Sequence, residues 1–156
     1  MSISNTVREY LAGNSIDYQL ITHAHTQSSR DSATAAHVTC DHLAKAVIVK
    51  EDETYLMVVV PSDQHIHMGR LHHLLGQAVG LATEQELVSL FPDCEGGAIP
   101  PLGTAYRLKT LVDSSLLEQP EIYFESGDHE HLVRVTGEQF SQLLHDADRV
   151  QVVTRH

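Results

Sequence analysis

The chain contains three lysines, and one of them, Lys45, falls inside the apolar run Leu43-Ala44-Lys45-Ala46-Val47-Ile48-Val49-Lys50. The period of two of a β-strand places it on the same face as Val47 and Val49. An ammonium in that company is costly. It snorkels to the strand end, finds a carboxylate, or faces a cleft as a fixed cation suited to an anionic or polarised group. A second feature is the segment Asp93-Cys94-Glu95-Gly96-Gly97-Ala98-Ile99-Pro100-Pro101-Leu102-Gly103. Its adjacent glycines let backbone N–H groups approach a ligand, and its two prolines stiffen the chain beyond them, so the loop can present donors to an oxyanion. The plainer reading is a tight helix-to-strand connection without a P-loop lysine. Cys94 is flanked by Asp93 and Glu95, which raise a thiol pKa, so packing or pocket lining suits it better than nucleophilic attack.

Twelve histidines include the pairs His23/His25, His65/His67, His72/His73 and His129/His131. Each pair could supply two metal ligands, but no spacing specifies a third, and no Cys-x-x-Cys or Cys-x-x-His frame is present. The alternative is a histidine-rich surface whose charge rises below neutral pH.

The elements that must position these residues follow from periodicity. A first helix is expected over Asn5–Ala12, with Thr6 and Glu9 spaced as a capping box and Gly13 as the stop. Asp17–Thr22 alternates like a short strand, a polar loop covers His25–Ser32, and a small alanine-rich helix follows from Asp31 or Ser32 to Val38. Leu43–Lys50 and Tyr55–Val60, separated by Glu51-Asp52-Glu53, read as a hairpin of central strands. Helices are expected from Met68 to Gly76 and from the capping box Thr83/Glu86 to Pro92. Strands are expected at Ala105–Asp113, Glu121–Ser126 and Leu132–Thr136, then a helix capped by Thr136 and Gln139 and an edge strand at Val150–Val153. This mixed order, without regular βαβ alternation, gives an α+β fold: a single domain over residues 1–156, with a mixed, largely antiparallel sheet flanked by helices.

Composition narrows the function. Residues 42% apolar and 20% charged describe an ordinary globular chain. A net charge of −11 repels phosphate backbones, which argues against DNA binding or general nucleic-acid coating and leaves room only for a local contact. No apolar run approaches the roughly 20 residues of a membrane span, and Met1–Gly13 lacks signal-peptide character, so a cytoplasmic protein with reduced Cys40 and Cys94 is expected.

The lysine strand Ala44-Lys45-Ala46-Val47, the Gly96–Gly103 loop with Pro100-Pro101, and the later Tyr123-Phe124-Glu125-Ser126-Gly127-Asp128-His129 occur in an order that resembles the YbaK/prolyl-tRNA-synthetase-associated domain family. These small aminoacyl-tRNA deacylases hydrolyse mischarged tRNA in trans or as synthetase insertions. The resemblance covers most of the chain and implies that Lys45 is the family lysine and that Gly96, Gly97 and Ala98, before Pro100 and Pro101, form the substrate-facing loop. It places His129 where some alanine-specific relatives carry a histidine, with His131 as a competitor. Such relatives tend to follow the lysine with a polar residue, whereas this chain has Ala46.

The expected chemistry is hydrolysis of an activated ester by water or the terminal ribose hydroxyl, without metal or other cofactor. In this reading Lys45 anchors the acceptor-end phosphate or acyl group. Backbone N–H groups of Gly96–Ala98 polarise the carbonyl, and His129 orients water or the ribose. Ile99, Pro100, Pro101, Gly103 and Gly127 are the expected substrate-binding residues. Pocket volume would select small amino acids such as alanine, serine or cysteine. The partners are the acceptor end of mischarged tRNA, reached through cations such as Lys50, Arg70, Arg107 and Lys109, and an aminoacyl-tRNA synthetase. A catalytically silent tRNA- or ligand-binding regulatory module of the same fold is the alternative, and a metal-dependent hydrolase built on the histidine pairs comes third. No GxSxG elbow supports a serine hydrolase.

Overall fold

A computed structural model describes residues 3–25, Ser32, Ala36 and 38–154. The β-branched runs form the centre of one sheet. Strand β2 (Leu43–Glu51) turns back into β3 (Thr54–Pro61) with eight paired residues from Ala44↔Pro61 to Glu51↔Thr54. Around this hairpin the sheet is ordered β1-β8-β7-β2-β3-β6-β9, where β1 is Gln19–Thr22, β6 Lys109–Asp113, β7 Glu121–Glu125, β8 His131–Thr136 and β9 Asp148–Val150. The pairs β1–β8, β7–β8 and β2–β3 are antiparallel, and β2–β7, β3–β6 and β6–β9 are parallel. The mixed sheet of the α+β expectation is therefore present. A two-residue strand β5 (Gly80–Leu81) also pairs with β2, and β4 (His65–Ile66) pairs with β10 (Val153–Thr154) apart from the main sheet.

Both faces of the hairpin are covered, which is why its strands read as nearly continuous apolar runs. On one face Ala44, Ile48, Met57 and Val59 pack with Val7, Leu11, Phe91, Ile99, Phe124 and Phe140. On the other, Val49, Leu56, Val58 and Val60 meet Leu71, Leu111 and Val150. Among the described residues four helices supply these covers: α1 (Asn5–Gly13), α2 (Met68–Leu75), α3 (Glu84–Leu90) and α4 (Gly137–Leu143). The capping boxes Thr83/Glu86 and Thr136/Gln139 form as expected, and Gly76 closes α2 in the left-handed conformation at φ 75°.

Three local expectations change. Helix α1 is capped by Ser4, not by Thr6. The Ser4 Oγ accepts the Val7 N–H, while the Ser4 N–H donates to Ser126 O at 2.8 Å, and this tertiary tie places the start ahead of Thr6. The strand expected from Ala105 begins only at Lys109, because Gly103–Tyr106 forms a 3-10 turn and Arg107 takes φ 59°. The segment Val150–Val153 divides between β9 and β10, since its two ends find different partners. Of the His25–Ser32 loop and the helix expected as far as Val38, all but His25, Ser32, Ala36 and Val38 lie outside the described residues.

Candidate functional site

Lys45 occupies the point at which β2 leaves its neighbour β7. The parallel pairing covers Leu43↔Tyr123 and Ala44↔Phe124 and goes no further, so Lys45 is the first residue beyond it. Alternation puts its side chain on the face of Val47 and Val49, as the sequence predicts. The side chain is half-buried and forms no ion pair among the described residues. Burial pushes its pKa below the ordinary lysine value, partly offset by the nearby Asp63 carboxylate. The carboxylate partner that a structural lysine would require is absent among the described residues.

The glycine loop is held at the same end of the sheet by the turn after β7. The Glu95 N–H donates to Gly127 O at 2.8 Å, and His129 Nε2 donates to Gly96 O at 2.7 Å. Gly127 has φ 108°, and a Cβ there would stand 3.1 Å from Ser4 Cβ and 3.3 Å from Cys94 Sγ, so conformation and packing both require glycine. His129 is 2% exposed, takes φ 57°, and its Nδ1 lies 3.6 Å from Glu125 Oε2. Burial opposes its charging, but Glu125 and the Gly96 carbonyl outweigh that and raise its pKa above the ordinary histidine value. The competitor His131 is engaged within the turn: its Nδ1 bonds Asp128 Oδ2 at 2.6 Å. Burial pushes Asp128 up, but N–H donors from Glu130 and His131 and the His131 ring hold it below the carboxylate range.

A second cluster fastens the start of the loop. Asp93 accepts from Ser4 Oγ, from the Thr6 N–H at 3.3 Å and from Tyr106 OH at 3.2 Å. These donors outweigh burial and bring its pKa to about 2. Burial pushes the Cys94 thiol up to about 12, with Asp93 adding to the shift against a hydrogen bond from Tyr106. A thiol so held is no nucleophile near neutral pH. The direction expected from the neighbouring carboxylates is correct, but burial is its main cause.

The loop splits into two parts. Gly96 and Gly97 are exposed, with Gly97 at φ 80°, whereas Ala98, Ile99, Pro100, Pro101, Leu102 and Gly103 are buried. The Ala98 N–H is committed to Glu95 O at 3.1 Å, so this amide is occupied within the loop itself. A Cβ on Gly103 would lie 1.8 Å from Thr110 Oγ1, which gives that glycine a packing role beneath β6, whereas a Cβ on Gly96 meets nothing within 4 Å. Ile99 does reach open space. With Leu87, Phe91, Cys94, Gly96 and Gly97 it lines a cavity of about 370 Å³ between α3 and the loop. A separate hollow of about 420 Å³ lies at the β1–β8 edge beside Asp17 and Arg134, away from the loop.

Glu125, Ser4, Tyr106 and His25 were not legible as site residues. His25 meets Glu95 at 2.9 Å and stands edge-on to His129, with ring centroids 6.1 Å apart. Only the Phe124-Glu125-Ser126-Gly127 order hinted at Glu125, because a carboxylate closing a strand carries no signal of burial. His25 and His129 are the members of two different pairs that meet, and the other pairs are engaged separately. His67 caps α2, His72 bonds Val79 O, and no group of three or more His, Cys, Asp or Glu among the described residues is arranged to hold a metal.

A mixed sheet covered on both faces, with a glycine loop clasped by the turn that follows β7, gives an α+β domain of the YbaK type. The chain belongs to the aminoacyl-tRNA editing domain family, which matches residues 23–143. No curated protein matches it. Solved structures share the fold. One provisionally assigned as a trans-editing enzyme for prolyl-tRNA synthetase has TM-score 0.84 at 20% identity, covering 99% of this chain and 100% of its own. A protein described only as hypothetical gives TM-score 0.83 at 21% identity over 96% of this chain and 100% of its own. A provisionally assigned signal transduction protein from Marinobacter aquaeolei VT8 matches at TM-score 0.81 and 17% identity, over 99% of this chain but 31% of its own length. No helix among the described residues is long and apolar enough to cross a membrane.

Proposed function

We propose that the protein is an aminoacyl-tRNA deacylase acting in trans in the cytoplasm on mischarged tRNA that carries a small amino acid, with residues 1–156 forming one editing domain. The observation that carries this reading is the His129-to-Gly96 clasp, which suspends the exposed glycines at the end of β7 where Lys45 leaves the sheet pairing. Lys45 is the fixed cation for the acceptor-end phosphate or the developing oxyanion, and its half-buried setting strengthens that interaction. Gly96 and Gly97 supply backbone polarity at the carbonyl. His129 acts through the loop: its Nε2 proton is committed to Gly96 O, which makes it a positioning residue. Water, oriented by the terminal ribose hydroxyl, adds to the ester carbonyl carbon; the tetrahedral oxyanion collapses with cleavage of the carbon–oxygen bond to the tRNA, whose hydroxyl leaves with the proton the water gives up, and the free amino acid is released.

With net charge −11, docking of the acceptor end is weak and salt-sensitive unless a synthetase assists it. Lys50, one of the cations expected to contribute, is already paired with Glu86 at 3.1 Å. The test is release of amino acid from alanyl-, seryl- and cysteinyl-tRNA presented on non-cognate tRNAs, with and without chelator. Chelator-insensitive turnover is the expected result. Silence across the panel would refute the deacylase in favour of a binding module, and loss with chelator would favour a metal-dependent hydrolase.

A further inference from the structure

The edge of β2 that faces β7 and β5 is interrupted. Pairing with β7 stops at Ala44↔Phe124, and pairing with β5 begins at Val49↔Leu81, with the Ala82 N–H reaching back to Ile48 O at 2.9 Å. The Ile48 carbonyl therefore points to this edge, while the Leu43 carbonyl points to the opposite edge, where Ser62 N–H takes it at 2.8 Å. By the period of two, Ala46 presents both its N–H and its C=O to the break. Neither has a partner among the described residues. From Ala44 to Ile48 is about 14 Å of strand, with both ends already paired, so the opening admits one residue but no longer peptide.

We infer that this opening is the seat of the aminoacyl group, which docks on Ala46 as a strand one residue long; the inference rests on the proposed deacylase function. An aminoacyl ester carries on one residue the two groups that an antiparallel hydrogen-bonded pair exchanges: an α-amino donor for the Ala46 C=O and a carbonyl acceptor for the Ala46 N–H. Directly opposed residues share a sheet face. The Ala46 side chain packs with the core cluster containing Phe91 and Ile99, so the substrate side chain falls on the face of the cavity those two residues line. Lys45 alternates to the other face. The Ala46 amide thereby becomes a donor to the ester oxygen, beside the loop in which the Ala98 amide is already used. The free amine is part of what is recognised, because an acylated amine extends the chain into the residues that close the slot.

The probe is 3′-amino-3′-deoxyadenosine bearing alanine in amide linkage, a hydrolysis-resistant acceptor-end mimic, compared with its N-acetyl form. Titrated into ¹⁵N-labelled full-length protein, the free-amine probe is expected to shift the Ala46 amide and slow its hydrogen exchange, and to bind at least ~10-fold more tightly than the N-acetyl form. Ala46→Pro, which removes an N–H that no ladder uses, should fold and lose the same factor. Should it fail to fold, the wild-type amide measurement decides alone. An unmoved Ala46 amide, equal binding of the two probes, or no binding at millimolar probe overturns the seat. Turnover of mischarged tRNA with an unmoved Ala46 sinks the seat and leaves the function standing. Binding at Ala46 without turnover does the reverse.

Discussion

The pair formed by Glu125 and His129 allows a prediction with a worked magnitude. Glu125 is 1% exposed, and neither of its carboxylate oxygens has a hydrogen bond among the described residues. The cation facing it is His129 Nδ1 at 3.6 Å, and His129 in turn holds Gly96 O. At that separation the gross attraction is about 4–5 kcal/mol for an effective dielectric constant of about 20, before desolvation is subtracted. Removing one partner strands the other, so His129→Ala should destabilise the fold by about 3–5 kcal/mol. Glu125→Gln keeps the shape and removes the charge, and should cost only about 1–2 kcal/mol.

The sign of the pH dependence comes from the raised histidine pKa. The folded state binds a proton that the unfolded chain releases above about pH 6.5, so the stabilisation is complete below that value and is lost as pH rises through the folded pKa. Urea unfolding of the wild type and of Glu125→Gln from pH 5.5 to 9 measures it. The wild type should lose its advantage over the variant as pH increases. A difference between the two that is constant across this range would refute the charge pairing, whatever the absolute stabilities.

Lys45→Ala should fold normally and lower deacylation about a hundredfold, the equivalent of roughly 3 kcal/mol of transition-state stabilisation; unchanged turnover would remove the lysine from the reaction. Gly103→Ala drives a Cβ into Thr110 Oγ1 and should cost about 1–3 kcal/mol in thermal or urea unfolding. Gly96→Ala meets open space and should leave stability within about 0.5 kcal/mol. With its pKa near 12, Cys94 should alkylate at pH 8 about a thousandfold or more slowly than the same thiol in urea, and Cys94→Ser should retain activity. Rapid modification of Cys94 in the native protein would contradict its burial.

Where the reading along the chain succeeded, the determinants were local. The β-branched runs around Glu51-Asp52-Glu53 specify a hairpin by themselves. The boxes Thr83/Glu86 and Thr136/Gln139 likewise cap their own helices, because donor and acceptor lie three residues apart. The lysine strand, the glycine loop and the turn at Gly127 could be named as an ordered set because each has an unusual composition. What failed depended on partners far away in sequence. Ser4 displaced Thr6 as the cap of α1 because Ser126 and Asp93 hold it, and a Ser close to a Thr offers no local reason to choose between them. Glu125 became a buried partner of His129 only because β7 ends under the loop.

The break in pairing along β2 could not be read from any residue at all. Ala44, Ala46 and Ile48 are alike in composition and period, and each would satisfy its main chain in an uninterrupted ladder. Among the described residues, the endpoints of β7 and β5 leave Ala46 without one. Sequence thus determined which groups are chemically capable, since side-chain type and periodicity are local properties. Tertiary structure decided which of them remain unsatisfied, since a hydrogen bond or a counter-charge is absent only with respect to the whole fold.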